Sequence, residues 1–250
     1  APVYNLLGGF RRKSIPVCHA VSYGTLQDMV QQASKLIDQG YETLKIYCGK
    51  DTPEADVERI RAVRKAVGDK INLYIEVNQR WGLKTAMGVL PLLEDLKIQF
   101  IEQPMASSLR KEMKIFRKRS SIPIALDESV FTPEDVVVAK EEGLSDIVNI
   151  YVLKAGGIYN AKKALDIAEA VKIDAYMGSF NELSISSIAS AHIAATIVNL
   201  PYPCYLVGPT LYEEDILREP LDIRDGMLHL TNNPGFGIVV DEGQLEKFKI

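Results

Sequence analysis

The chain has 250 residues, of which 47% are hydrophobic and 25% charged, and its formal net charge at pH 7 is -4. This mixed, mildly acidic composition excludes a strongly basic nucleic-acid-binding protein and a polybasic protein that binds membrane surfaces. No apolar run approaches the roughly 18 residues of a membrane-spanning helix, so we expect a globular chain with a large buried core.

Short strand-like segments alternate with longer helical segments along most of the chain. The predicted strands cover residues 15–21, 43–47, 73–76, 100–101, 124–126, 147–152, 175–177 and 205–207. The predicted helices that follow the first seven of them cover residues 26–39, 53–67, 83–96, 109–119, 133–142, 157–171 and 185–199. Gly40 and Gly68 follow two of the helices as stop signals, and Thr132 with Pro133 supplies a cap and a first turn.

This alternation predicts a parallel sheet covered by helices. About seven or eight βα units in a chain of this length fit a closed barrel better than a doubly wound sheet, which is the alternative. No GxGxxG or GxxxxGK[ST] motif follows the first strand, which argues against a nucleotide-binding version of that alternative. We therefore expect an α/β protein with a modified TIM barrel of the (β/α)7β type at residues 1–221, followed by a short β-rich C-terminal tail at residues 222–250.

Acidic residues stand at the carboxyl ends of three successive predicted strands, at Glu76, Glu102 and Asp127. In a parallel barrel these strand ends form the rim of the active site. Neighbouring carboxylates repel one another unless they are paired or bind a cation, and Mg²⁺ prefers oxygen ligands. The spacing therefore predicts a divalent metal site. The alternative is that these acids are solvated or form ion pairs with Lys45 and Lys154.

Six short motifs lie at residues 5–9 (NLLGG), 101–104 (IEQP), 126–129 (LDES), 154–158 (KAGGI), 233–237 (NPGFG) and 241–242 (DE). In this order and spacing they resemble the barrel domain of the enolase superfamily, in its muconate-lactonizing-enzyme (mandelate racemase/muconate lactonizing enzyme) subgroup. The resemblance covers nearly the whole chain. It implies that Glu76, Glu102 and Asp127 are the metal ligands, that Mg²⁺ is the ion, and that Mn²⁺ is the substitute. Glu76 departs from the pattern, because the family usually has an aspartate there.

The resemblance also places residues around the metal. Asn78 matches the asparagine that the family has two residues after the first ligand. Glu128 belongs to the motif at residues 126–129 and Lys154 to the motif at residues 154–158, and Glu182 resembles a glutamate that follows strand seven in the subgroup. We expect these four residues to contact the substrate or to support the metal ligands. For Glu182, the alternative is a loop acid that caps the following helix.

Two acid–base positions depart from the family pattern. The subgroup usually ends strand two with Lys-x-Lys, and here the run is Lys45, Ile46, Tyr47. The opposing base is usually a lysine on strand six, and counting back from Lys154 places Tyr151 there. Lys45 points to the same face of its strand as Tyr47, so we expect its cation, together with the metal, to favour the tyrosinate form. Tyr151 is expected to act as an acid or to hydrogen-bond the substrate.

The family chemistry removes the proton α to a carboxylate through a metal-stabilised enediolate. The resemblance thus implies an isomerase or lyase of a small acid: a racemase or epimerase, a cycloisomerase, or an acid-sugar-type dehydratase. The alternative is a non-catalytic homologue that binds metal or ligand, in which tyrosines have replaced both lysines and fill the barrel mouth.

The resemblance further implies partners for this barrel. Family members carry an N-terminal capping domain over the barrel mouth, which we expect to be absent from this chain and to dock against the tail at residues 222–250. A homo-oligomer is expected from the family. Three separated cysteines, Cys18, Cys48 and Cys204, lie outside any CxxC pattern and favour a reducing cytoplasm.

Overall fold

Seven parallel strands form the central sheet of the computed structural model, which describes residues 1–249. In chain order, the strands of this sheet and of a second, smaller sheet are β1 (Ser14–Pro16), β2 (His19–Val21), β3 (Thr43–Tyr47), β4 (Asn72–Glu76), β5 (Ile98–Glu102), β6 (Ile124–Leu126), β7 (Ile147–Ile150), β8 (Asp174–Met177), β9 (Ile223–Arg224) and β10 (Met227–His229). Strands β2 to β8 are neighbours in chain order, as βα repeats require.

Most helices follow barrel strands and cover the outside of the sheet, whereas the first precedes the barrel and the last lies in the C-terminal tail. The helices are α1 (Val3–Leu6), α2 (Leu26–Asp38), α3 (Pro53–Val67), α4 (Leu83–Leu93), α5 (Arg110–Arg119), α6 (Pro133–Glu142), α7 (Val152–Ala155), α8 (Ile158–Val171), α9 (Ser184–Ala194) and α10 (Glu242–Lys247). Capping boxes at Thr25 and Thr132 begin α2 and α6. Within residues 1–249, no helix is both long and apolar enough to cross a bilayer.

The segment around Cys204 closes the sheet into a barrel. Cys18 N–H donates to Cys204 O at 2.9 Å, and Cys204 N–H donates to Pro16 O at 2.8 Å. On the other side, Tyr205 N–H donates to Met177 O at 2.9 Å. This segment therefore occupies the eighth strand position and confirms the expected (β/α)7β barrel. It makes an isolated bridge rather than the regular strand predicted at residues 205–207.

The first predicted strand is in fact two strands in different sheets. Residues 14–16 form β1, which pairs antiparallel with β10, whereas residues 19–21 form β2, which pairs parallel with β3. The prediction of one strand at residues 15–21 was therefore wrong. The physical reason is that a continuous apolar run satisfies both environments equally, so hydrophobicity gives no sign of the change of partner.

The C-terminal tail contributes to a small antiparallel sheet in the order β1-β10-β9. Ile15 and Leu228 are register partners in this sheet, and both side chains are fully buried. Residues 234–240 contain isolated bridges rather than a regular strand. The tail thus packs against the start of the barrel, while its predicted contact with a capping domain remains a prediction.

Aromatic rings fill the barrel interior below the predicted metal site. The rings of Tyr74 and Phe100 stack with centroids 4.0 Å apart, and Tyr176 and Tyr202 each lie 5.4 Å from Phe100. Tyr74, Phe100 and Tyr176 are fully buried. This packed layer closes the barrel, so the strand ends above it form the floor of a cavity rather than the entrance to a pore.

Candidate active site

The three predicted ligands lie together at the carboxyl ends of β4, β5 and β6. One carboxylate oxygen from each of Glu76, Glu102 and Asp127 lies within 4.8 Å of the other two, and all three residues are buried. Asn78 and Gln103 adopt positive φ angles of 45° and 34° immediately beyond their strands. These left-handed turns end the strands abruptly, which fixes the acids at the rim.

Two buried lysines pair with the acids. Lys45 Nζ lies 2.9 Å from Glu76 Oε2 and 2.8 Å from Glu102 Oε2. Burial opposes the charge of Lys45, but the carboxylates of Glu102 and Glu76 outweigh burial and hold its pKa well above the ordinary value. Lys154 Nζ contacts Asp127 Oδ1 at 2.5 Å and the backbone oxygens of Asp127 and Asn149 at 2.8 Å. The ion pairs expected as the alternative to a metal are therefore formed.

The acid cluster also fits a divalent cation. Three carboxylates face two ammonium groups, so full ionisation would leave the buried cluster with an excess of one negative charge. Burial, and then the charge of Glu102, raises the pKa of Glu76 well above its ordinary value. Oxygen ligands at this spacing suit Mg²⁺ or Mn²⁺, and a bound cation would stabilise the ionised form of Glu76. Pairing with lysine and binding of a metal are thus compatible in this site.

Tyr47 lies at the end of β3, next to the acid cluster. Burial raises its pKa and outweighs the lowering effect of Lys45, while the Tyr205 hydroxyl also favours the ionised form. Lys45 therefore favours the tyrosinate form but does not by itself outweigh burial, so the expected joint effect of Lys45 and the metal stays a prediction. Tyrosinate at this position needs a further cation.

Tyr151 follows β7 and is the N-cap residue of α7. Its ring faces Lys154, whose Nζ lies 4.5 Å from the ring centroid. Burial, followed by the charges of Asp127 and Glu128, raises the pKa of Tyr151. Tyr151 is therefore a neutral hydroxyl that can donate a hydrogen bond or a proton.

A cavity of about 530 Å³ opens over these residues. Of the predicted site residues, seven line it: Lys45, Tyr47, Glu76, Asn78, Asp127, Glu128 and Tyr151. Glu102, Lys154 and Glu182 are not among its lining residues, and Glu102 is fully buried. The cavity is also lined by Tyr23, Lys50, Arg80 and Tyr205, which the sequence did not single out.

Glu182 directly follows Asn181, the last of three successive residues that line the cavity. It is buried, and neither carboxylate oxygen has a hydrogen-bond partner in the described chain. Burial raises its pKa to about 7. Its oxygens therefore bond to none of the first N–H groups of α9, and Ser184 N–H donates to Asp215 Oδ2 instead.

Three polar residues behind the acids were not predicted from the sequence. Asn149 Nδ2 donates to Glu102 Oε1 at 2.8 Å, and the Tyr176 hydroxyl donates to Glu102 Oε2 at 2.5 Å. The side-chain oxygen of Gln103 accepts from the backbone N–H groups of Asp127 and Ser129. A buried polar residue inside an apolar strand, such as Asn149, is the signal that could have indicated them.

Comparison with known proteins gives close matches over almost the whole chain. Residues 28–244 match the family described as Enolase C-terminal domain-like. Chloromuconate cycloisomerase CbnB from Cupriavidus necator is 30% identical over 247 residues, which cover 98% of this chain and 67% of that protein. An L-Ala-D/L-Glu epimerase from Clostridium acetobutylicum is 35% identical over 240 residues, covering 95% of this chain and 66% of that protein.

A solved structure gives the same result. The crystal structure of muconate cycloisomerase from Pseudomonas fluorescens superposes with a TM-score of 0.95 at 33% identity, covering 99% of this chain and 69% of that chain. The chain thus spans about two thirds of the length of the proteins it matches.

Proposed function

Because the chain belongs to the Enolase C-terminal domain-like family, as its motifs predicted, we propose that it is a divalent-metal-dependent isomerase or lyase. The substrate is a small acid that loses the proton α to its carboxylate. Relatives named as cycloisomerases and as an epimerase support an isomerase, and racemisation, epimerisation, cycloisomerisation and dehydration share this first step. The observation that carries the proposal is the meeting of three buried carboxylates beneath a cavity lined by Tyr47 and Tyr151.

Glu76, Glu102 and Asp127 would hold the ion, Mg²⁺ first and Mn²⁺ as its substitute. When bound, such an ion supplies Lewis-acid stabilisation of the negative charge that develops on the substrate carboxylate. Lys45 contacts Glu76 and Glu102 and also lines the cavity, so its ammonium group holds both acids in place beside the substrate. All three N–H donors of the Lys154 ammonium group bond to Asp127 or to the backbone of β7, which fixes the position of the Asp127 carboxylate.

Tyr47 is the proposed base, with Lys45 as its electrostatic partner. The neutral hydroxyl of Tyr151 is placed to protonate a leaving group, or to return a proton to the opposite face of the substrate. Asn78 and Glu128 line the cavity and would orient the substrate by hydrogen bonds. Glu182 directly follows Ser179, Phe180 and Asn181, which line the cavity, and is not itself a lining residue, so its proposed role is to support that wall rather than to touch the substrate.

A non-catalytic metal-binding or ligand-binding homologue is the second candidate. It is favoured by the raised pKa values of Tyr47 and Tyr151, since neutral tyrosines are poor bases at neutral pH. Under this hypothesis the cluster still binds a cation and the cavity still binds an acid, but no proton leaves the substrate.

The test is exchange of the α-proton with deuterium across a library of small carboxylic acids in heavy water, with and without Mg²⁺. The expected result is Mg²⁺-dependent exchange by the full-length protein and its loss in Glu102→Gln. Metal-dependent binding of an acid without exchange would overturn the enzymatic proposal and support the second candidate. Exchange that persists in EDTA would overturn the role of the metal.

A further inference from the structure

Two register partners inside the barrel converge on one acid. Asn149 on β7 and Tyr176 on β8 are paired in the parallel ladder, and both are fully or almost fully buried. Each donates a hydrogen bond to a different oxygen of Glu102, on β5. Adjacent strands therefore hold the two ends of one carboxylate from the far side of the barrel interior.

The acceptor positions of Glu102 show what this arrangement leaves free. An ionised carboxylate offers about four acceptor positions. Lys45 and Tyr176 share Oε2, and Asn149 uses one position on Oε1. About one acceptor position remains, on Oε1, for a cation. A carboxylate held by three donors has also lost its rotational freedom before any ion arrives, which lowers the entropy lost on binding.

The backbone makes room for this contact at Gly178, directly after β8. A Cβ atom added to Gly178 would lie 2.1 Å from Asn149 Oδ1 and 2.5 Å from Asn149 Nδ2. A side chain here would therefore push the Asn149 amide out of its position against Glu102. Gly178 is thus a third residue on which the arrangement depends.

We propose that Asn149 and Tyr176, the Glu102 clamp, are positioning residues that hold Glu102 in the orientation required by the metal. The proposal rests on the metal site of the proposed function. It assigns to the buried Tyr176 hydroxyl a role in metal affinity rather than in the packing of the aromatic layer.

The test is calorimetric titration of the full-length protein with Mg²⁺, comparing Tyr176→Phe with Tyr74→Phe. Both residues are fully buried in the same aromatic layer, but the Tyr74 hydroxyl has no hydrogen-bond partner among the described residues. We expect Tyr176→Phe to raise the Kd for Mg²⁺ about 10- to 100-fold, the usual effect of losing an outer hydrogen bond to a ligand. Tyr74→Phe should leave the Kd within about twofold of wild type.

The variant Gly178→Ala disturbs the Glu102 clamp through Asn149 and leaves Tyr176 unchanged. It is the second test variant, to be used if Tyr176→Phe fails to fold. We expect it to raise the Kd for Mg²⁺ by displacing Asn149. The electron paramagnetic resonance spectrum of bound Mn²⁺ reports on the geometry of the metal ligands, which a loss of packing alone would leave unchanged. We expect both variants to broaden this spectrum. An unchanged Kd and spectrum, with a lowered melting temperature, would overturn the clamp and leave a packing role.

The outcomes separate this inference from the proposed function. If the wild type binds Mg²⁺ and Tyr176→Phe binds it equally well, the clamp is wrong and the proposed function stands. If the variants lose affinity but the wild type exchanges no α-proton, the clamp stands and the enzymatic proposal is wrong. If the wild type binds neither Mg²⁺ nor Mn²⁺, the metal site and the clamp are both wrong.

Discussion

Tyr47 and Tyr151 face one cavity from opposite sides of the barrel. Tyr47 ends β3 and Tyr151 follows β7, and three strand positions separate them in either direction around the closed sheet. A planar intermediate between them would present one face to each hydroxyl. We therefore predict that the two residues have separable functions.

Replacing each tyrosine by phenylalanine separates these functions. We expect Tyr47→Phe to lower α-proton exchange about 10²- to 10⁴-fold, the usual contribution of a general base. Tyr151→Phe should keep exchange but lose inversion or elimination. The measurement is proton NMR in heavy water with the product enantiomers resolved. Tyr23→Phe is the matched control, because Tyr23 lines the same cavity and stacks on Tyr47. Unchanged exchange in Tyr47→Phe would remove Tyr47 from the mechanism.

Replacing Lys45 by methionine should destabilise the metal-free protein. The change leaves Glu76 and Glu102 buried without their shared cation, and loss of one partner of a buried ion pair costs about 3–5 kcal/mol. Added Mg²⁺ should restore more stability to this variant than it adds to the wild type. Urea unfolding in EDTA and in Mg²⁺ measures both effects. Lys97→Met, in an exposed pair with Asp69, should change little. Equal stability of Lys45→Met and wild type in EDTA would contradict the prediction.

His192 should make stability depend on pH. It is buried, Nδ1 accepts from Tyr4 N–H at 3.1 Å, and Nε2 lies 3.2 Å from Phe236 O. Burial lowers its pKa below the ordinary value of 6.5. The unfolded chain therefore binds more protons below about pH 6.5, and the stability present above that pH is lost as pH falls.

The check is the free energy of unfolding in urea from pH 8 to pH 5. We expect the wild type to lose more stability over this interval than His192→Gln, which can keep both hydrogen bonds without titrating. Parallel pH profiles for the two proteins would show that protonation of His192 is not coupled to folding.

The C-terminal tail should contribute to global stability through Leu228. This side chain is fully buried against Ile15, so Leu228→Ala should destabilise the protein by about 2–5 kcal/mol. Leu245→Ala, in the half-exposed helix α10 of the same tail, is the control and should have a small effect. If both variants unfold like wild type in urea, the tail detaches without affecting the barrel.

The sequence predicts best where a local chemical signal defines an element. Helices α3 and α6 begin and end at the predicted residues, because Thr-Pro pairs cap their starts and Gly68 and Gly143 follow their ends. The three acids were found because they stand at strand ends, where topology alone brings them together. These features require no knowledge of how distant segments pack.

The sequence predicts least where the deciding contact is distant along the chain. Tyr176 lies 74 residues from Glu102, and no periodicity connects them. The division between β1 and β2 depends on a partner, β10, more than 200 residues away along the chain. The direction of the Tyr47 pKa shift depends on how deeply the folded chain buries the ring, which the spacing of Lys45 and Tyr47 does not contain.

We expect the barrel to open most readily at the bridge formed by Cys204. The other barrel strands are regular. Here the barrel is closed only by backbone hydrogen bonds of Cys204 and Tyr205 to Pro16, Cys18 and Met177. Amide hydrogen exchange in the barrel wall should therefore be fastest at this seam, because fewer bonds must break together for local opening. Tyr205 also lines the cavity beside Tyr47. Local opening of the hydrogen bonds at this seam would therefore let water reach the proposed base.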